Sequence, residues 1–142
     1  MPWKMFEALS RYQQVSSGGR YKNNIGGPVD DKLKFQRKHK FVIAFENTAT
    51  PGYTTEKIIG AFAAGAVPIY WGNPEITKEF NAGSFINCND YGLTEKGELE
   101  IIERIVQEVI RIDKDQSAYI AMLKTPAFTI ENDVNLSLIH IW

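Results

Sequence analysis

The sequence predicts an α/β domain, a Rossmann-like open parallel sheet with helices on both faces, and three observations point to it. Phe41-Val42-Ile43-Ala44-Phe45 and Ala66-Val67-Pro68-Ile69-Tyr70-Trp71 are almost unbroken apolar runs. Their length and composition suit strands buried on both faces, which belong to parallel sheets. Between them lies a segment with capping threonines at its start and a glycine at its end, so the order is strand, helix, strand. Further on, Leu99, Ile102, Val106, Val109 and Ile110 mark one face of a long amphipathic helix. In such a doubly wound sheet, ligands bind beyond the carboxyl ends of the strands.

Each element follows from local pattern. Residues 4–12 form a first helix through Met5, Phe6 and Leu9, followed by a very short strand at Val15 and a turn at Ser16-Ser17-Gly18-Gly19. Gly26-Gly27-Pro28 makes a second turn. Asp31 caps a short helix over residues 32–39, anchored by Leu33 and Phe35, that leads into the first buried strand. Thr54 or Thr55 caps a helix over residues 56–64, which Gly65 ends before the second strand. Gly72-Asn73-Pro74 turns the chain, residues 75–80 form a short helix and residues 84–87 a third strand. The amphipathic helix covers residues 94–112, and a last helix over 115–123 stops before Pro126.

The 142 residues suffice for one domain with a modest core, assigned to residues 1–135, with an atypical apolar tail over 136–142. A net charge of -1 from 16 basic and 17 acidic residues provides no general field for nucleic acid or an acidic membrane. Any anion must be held locally. Cys88 is the sole cysteine, which excludes an internal disulfide and a thiolate zinc site and leaves a buried structural thiol. No apolar run approaches the roughly 20 residues of a membrane-spanning helix, so the chain reads as soluble.

The candidate site is the loop between the first strand and the following helix, which carries Glu46, Asn47, Tyr53, Glu56 and Lys57. It leaves the carboxyl end of a strand and enters a helix whose first amides lack intrahelical acceptors, a place that attracts anions. A cation in the first turn, Lys57, is unfavourable beside the positive dipole end unless an anion binds there. Glu56 suits the dipole and offers two acceptors for vicinal hydroxyls of a ribose or hexose. Tyr53 suits a phosphate oxygen or a base or sugar face. Each also has a plain structural use: Glu56 as a dipole partner, Lys57 as a solvated charge, Tyr53 as packing, Glu46 and Asn47 as turn formers. The chain contains no G-x-x-x-x-G-K-[ST], no G-x-G-x-x-G, no H-E-x-x-H and no G-x-S-x-G. These absences argue against a P-loop ATPase, a dinucleotide dehydrogenase, acyl transfer and a catalytic metal.

The run F-E-N-T-A-T-P-G-Y-T-T-E-K-I-I, followed by A-V-P-I-Y-W-G-N-P, resembles the donor-binding core of the α-1,3/1,4-fucosyltransferases, glycosyltransferase family 10. The resemblance extends through L-S-R-Y-Q-Q-V-S-S-G-G-R-Y-K-N-N-I-G-G before the core and F-N-A-G-S-F-I-N-C-N-D-Y after it, to A-Y-I-A-M-L. It implies the C-terminal half of a GT-B enzyme that moves fucose from GDP-β-L-fucose to a glycan hydroxyl, with inversion and without a metal or other cofactor. It further implies that Glu56 contacts ribose hydroxyls, Lys57 the diphosphate, Tyr53 and Asn47 the phosphate or fucose region, while Glu46 helps position the sugar. The acceptor glycan and the general base then belong to an N-terminal domain outside this chain, so the isolated chain is not expected to catalyse transfer. Dimerisation through the apolar face left open is a further expectation. Pro2 stands where the family has a diphosphate-pairing arginine, and the tail departs from the family's polar C-terminal helices. The compartment implied is the Golgi in a eukaryote, and the cytoplasm or membrane surface in a bacterium. Two other readings remain: a non-catalytic nucleotide-sugar-binding module that needs a partner domain, and a GT-B transferase with a different donor.

Overall fold

The computed structural model describes residues 2–15 and 36–129. The expected turns at Gly18-Gly19 and Gly26-Gly27-Pro28, the first half of the helix capped by Asp31, and the tail over 136–142 lie outside those residues; in the second half of that helix the helical backbone ends at Gln36, and a turn closed by the His39 amide on the Gln36 carbonyl at 3.0 Å follows. The described elements are α1 (Pro2–Ser10), β1 (Phe41–Phe45), α2 (Glu56–Ala63), β2 (Val67–Trp71), β3 (Ile86–Asn87), α3 (Leu99–Lys114) and α4 (Gln116–Lys124).

The three strands form a parallel sheet in the order β1-β2-β3, with Phe45 opposite Trp71 and Tyr70 opposite Asn87. Side chains alternate across β2 as the pleat requires. Val67, Ile69 and Trp71 join Met5 and Leu9 of α1 and Ile102, Ile105, Val106 and Val109 of α3 on one face. Ala44 and Tyr70 meet Ile58, Ile76, Phe80 and Phe85 on the other. Both faces are therefore covered, which explains why β1 and β2 read as continuous apolar runs rather than alternating ones. Cys88 is fully buried, and burial pushes its thiol pKa well up, as befits a structural residue.

Away from the carboxyl ends of the strands, Asp113 ties elements together. Its carboxylate accepts from Lys40 Nζ at 2.6 Å and from the Tyr12 hydroxyl at 2.6 Å, while Tyr119 donates to the Lys40 carbonyl at 2.9 Å. Lys40 first, and then Tyr12, hold the Asp113 pKa below the ordinary carboxylate value.

Several boundaries differ from those expected, each for a local reason. The backbone at Val15 is irregular, with no strand. The helix expected over 75–80 is only a 3₁₀ turn, Ile76–Lys78, with the Glu75 amide held by the Asn73 side chain at 2.9 Å. The third strand is shortened to two residues by a 3₁₀ turn, Ala82–Ser84, in which the Ser84 hydroxyl bonds the Asn81 carbonyl at 2.6 Å. Helix α3 starts at Leu99 because Gly97, at φ 65°, interrupts the preceding turn. Asp115 caps α4 by accepting from the Ala118 amide at 3.1 Å.

The exposed large apolar residues among those described, Trp3, Tyr53, Leu99, Ile120 and Leu123, are divided among α1, the loop after β1, α3 and α4. That distribution gives the expected dimer no support. None of the described helices is long and apolar enough to cross a membrane.

Candidate functional site

The loops after β1, β2 and β3 leave the same end of the sheet, since the strands are parallel and in register there. The Glu46 amide still donates to the Trp71 carbonyl at 2.8 Å, extending the ladder by one residue. Its side chain is only 2% exposed. One carboxylate oxygen accepts from the Thr55 amide at 2.8 Å and the other from the Thr55 hydroxyl at 2.6 Å. The Tyr70 hydroxyl adds a third bond at 3.2 Å. A buried carboxylate needs such donors, and the positive end of α2, capped by Thr55, gives it further support. Burial raises the Tyr70 pKa well above its ordinary value; the Asn73 amide opposes that and the Glu46 charge adds to it, so the phenol remains a donor.

Lys57 is the second residue of α2 and is not a freely solvated charge. Its Nζ donates to the Phe45 carbonyl at 2.9 Å, which brings the amine back to the carboxyl end of β1. Glu46 and Lys57 are thus brought to one place, the strand end beneath the helix start. Asn47 and Tyr53 are exposed on the loop and Glu56 at the first position of α2, with Tyr53 at 44%.

The residues that join the three strand ends were not singled out from sequence. Asn73 is wholly buried at 0%. Its side-chain oxygen accepts from the Gly52 amide at 2.8 Å and the Glu75 amide at 2.9 Å, and its side-chain nitrogen donates to Thr54 Oγ1 at 2.9 Å. The Asn73 amide donates to the Tyr70 hydroxyl at 3.0 Å. Asn89 reaches back from beyond β3, donating to the Asn73 carbonyl at 3.2 Å and accepting from the Gly72 amide at 3.4 Å. Gly72 has φ 152°, and a Cβ there would collide with the Glu46 side chain, whose Cβ would be 2.7 Å away. The available signals were the Tyr70 phenol in a strand whose other residues are all apolar and the Gly-Asn-Pro turn behind it.

A separate groove of about 300 Å³ lies beside β3, with Asp90, Glu108, Arg111 and Met122 among its lining residues. Arg111 is committed to Glu108 through bonds of 2.7 and 3.0 Å, so among the described residues the groove has no cation free for an anion. The loop after β1 is chemically the better equipped of the two places. Among the described residues, no three metal-ligating side chains are grouped closely enough to hold an ion.

The family profile described as "Glycosyltransferase family 10 (fucosyltransferase) C-term" matches residues 3–124. The α-(1,3)-fucosyltransferase FucT of Helicobacter pylori is 43% identical over 86 residues, covering 61% of this chain and 18% of that protein. The 4-galactosyl-N-acetylglucosaminide 3-α-L-fucosyltransferase 9 of Pan troglodytes is 30% identical over 143 aligned positions, covering 98% of this chain and 35% of that protein. The crystal structure of an α1,3-fucosyltransferase with GDP-fucose superposes with a TM-score of 0.78 at 33% identity, over 87% of this chain and 35% of that one. The chain therefore spans between 18% and 35% of the length of these relatives.

Proposed function

The chain belongs to glycosyltransferase family 10, the fucosyltransferases, and from that premise we propose that it is the donor-binding C-terminal half of an inverting GT-B enzyme. The complete enzyme transfers L-fucose from GDP-fucose to a glycan hydroxyl in α-1,3 or α-1,4 linkage. The observation that carries this reading is the Lys57 amine held against the Phe45 carbonyl, where the β1 end meets the start of α2. A diphosphate reaching that corner gains an ammonium and helix amides together.

In the reaction, a general base supplied by sequence beyond these residues removes the acceptor hydroxyl proton, and that oxygen attacks the fucose anomeric carbon. The bond from that carbon to the diphosphate oxygen breaks, and its electron pair leaves with GDP. Charge grows on the leaving diphosphate, and Lys57 and the helix start offset it, the task a metal ion performs in other transferases. Glu56 accepts from the ribose hydroxyls, and Tyr53 and Asn47 serve the phosphate or fucose region. Glu46 acts through the loop it holds: both its oxygens are engaged by Thr55 and one also by Tyr70, so it positions the sugar by fixing the helix start. The acceptor glycan docks on the other half of the enzyme.

Calorimetric titration of the 142-residue chain tests the donor assignment. GDP and GDP-fucose bind, and a UDP-sugar binds at least about tenfold more weakly. A preference for the UDP-sugar assigns another donor and overturns the fucosyl reading; absence of nucleotide binding overturns the donor-half reading itself.

A further inference from the structure

We propose that Asn73 is a positioning residue for the donor loop, clamping the Gly52 backbone before Tyr53 and the Thr54 side chain after it and so deciding where the phenol stands. This rests on the donor-site reading given above. Pro51, Gly52 and Tyr53 form an exposed loop tip. A Cβ placed on Gly52 would meet nothing within 4 Å, so packing does not hold the tip. Its internal support is a turn bond from the Tyr53 amide to the Thr50 carbonyl at 3.0 Å, with Gly52 at φ 80°.

Asn73 supplies what packing does not. Its oxygen holds the Gly52 amide and its nitrogen holds the Thr54 hydroxyl, the residues immediately before and after Tyr53. A primary amide can do both, because one end accepts and the other donates. Asn73 itself cannot drift: its amide is bonded to the Tyr70 hydroxyl and its carbonyl to Asn89. The rigidity of the sheet is thereby passed to an exposed aromatic side chain through one buried amide. A core-packing residue would have no reason to spend both ends of its side chain on a solvent-exposed loop.

Two measurements test this. In native-state hydrogen exchange on the unliganded chain, Asn73→Ala accelerates exchange of the Gly52 amide about tenfold or more while the amides of α2 keep their protection. In a GDP-binding cycle, Asn73→Ala weakens binding about tenfold in the wild-type background and changes little in the Tyr53→Ala background. Thr54→Val, which removes the acceptor of the Asn73 nitrogen together with the bond between the Thr54 hydroxyl and the Tyr70 phenol, follows the same non-additive pattern and serves if Asn73→Ala fails to fold. Unchanged exchange at Gly52 overturns the clamp. Additive losses in the cycle overturn the link to Tyr53 and leave Asn73 a stability residue. A wild-type chain that fails to bind GDP at all overturns the donor-site reading, and the role of Tyr53 with it, while the exchange result still judges the clamp independently.

Discussion

Replacing Glu46 with alanine removes, in one step, the acceptor for the Thr55 amide, the Thr55 hydroxyl and the Tyr70 phenol. A buried donor left unpaired costs about 1–3 kcal/mol, and the Tyr70 hydroxyl, in a fully buried side chain, is the most exposed to that penalty. The lost methylenes and the void they leave add about 1 kcal/mol. Relief of carboxylate desolvation works in the opposite direction, and the Thr55 hydroxyl can turn to another acceptor, so the net loss is about 2–4 kcal/mol. Glu46→Gln keeps an acceptor for the Thr55 amide and the phenol and requires only that the Thr55 hydroxyl accept instead of donate. It should cost about 1 kcal/mol. Urea unfolding at neutral pH reads both, with alanine lowering the midpoint by roughly 2 M at an m-value of about 1–2 kcal/mol per molar. A loss below about 1 kcal/mol for alanine, or equal losses for alanine and glutamine, would refute the argument that this carboxylate holds the loop.

Gly72→Ala must leave φ 152° or push the Glu46 side chain aside, and should cost about 3 kcal/mol; an unchanged melting temperature would contradict the close approach. Lys57→Ala should weaken GDP about tenfold or more but guanosine by less than about twofold, whereas equal losses would remove the amine from the phosphate role. Asp113 has a folded-state pKa depressed below its ordinary 3.8, so its stabilising contribution is present above that value and disappears as pH falls through the folded pKa. Asp113→Asn should therefore lower stability near neutrality and flatten the acid limb of a urea-midpoint profile below about pH 4; an acid limb of unchanged slope would assign that titration elsewhere.

The strand β1 was legible to the residue because Lys40 and Glu46 bracket an uninterrupted apolar run, and β2 because Gly65 and Gly72 stand close to its ends. Thr55 was readable as one of two possible caps, and Lys57 as a cation at the wrong end of a helix. What Lys57 bonds was not readable, since the Phe45 carbonyl lies 12 residues earlier and is brought near only by the crossover. The same holds for the bonds of Asn73 to Gly52 and Thr54 and of Asn89 to Asn73, which are set by the register of three strands rather than by neighbours in sequence. Residues 94–98 misled for a different reason: the Thr94 hydroxyl and the Glu98 carboxylate pair at 2.8 Å and close a turn where helical spacing alone suggested a longer α3. A local bond by Ser84 likewise replaced the start of the strand that propensity favoured at 84–87.

The donor-half assignment requires that a guanosine diphosphate be held where β1 meets α2. A titration of isotope-labelled chain with GDP, followed by amide and Lys57 Nζ resonances, addresses this directly. Saturable shifts concentrated at Tyr53, Glu56, Lys57 and Ile58 are the predicted result; shifts centred on Asp90 and Arg111 in the groove beside β3, with the α2 start unmoved, would contradict it.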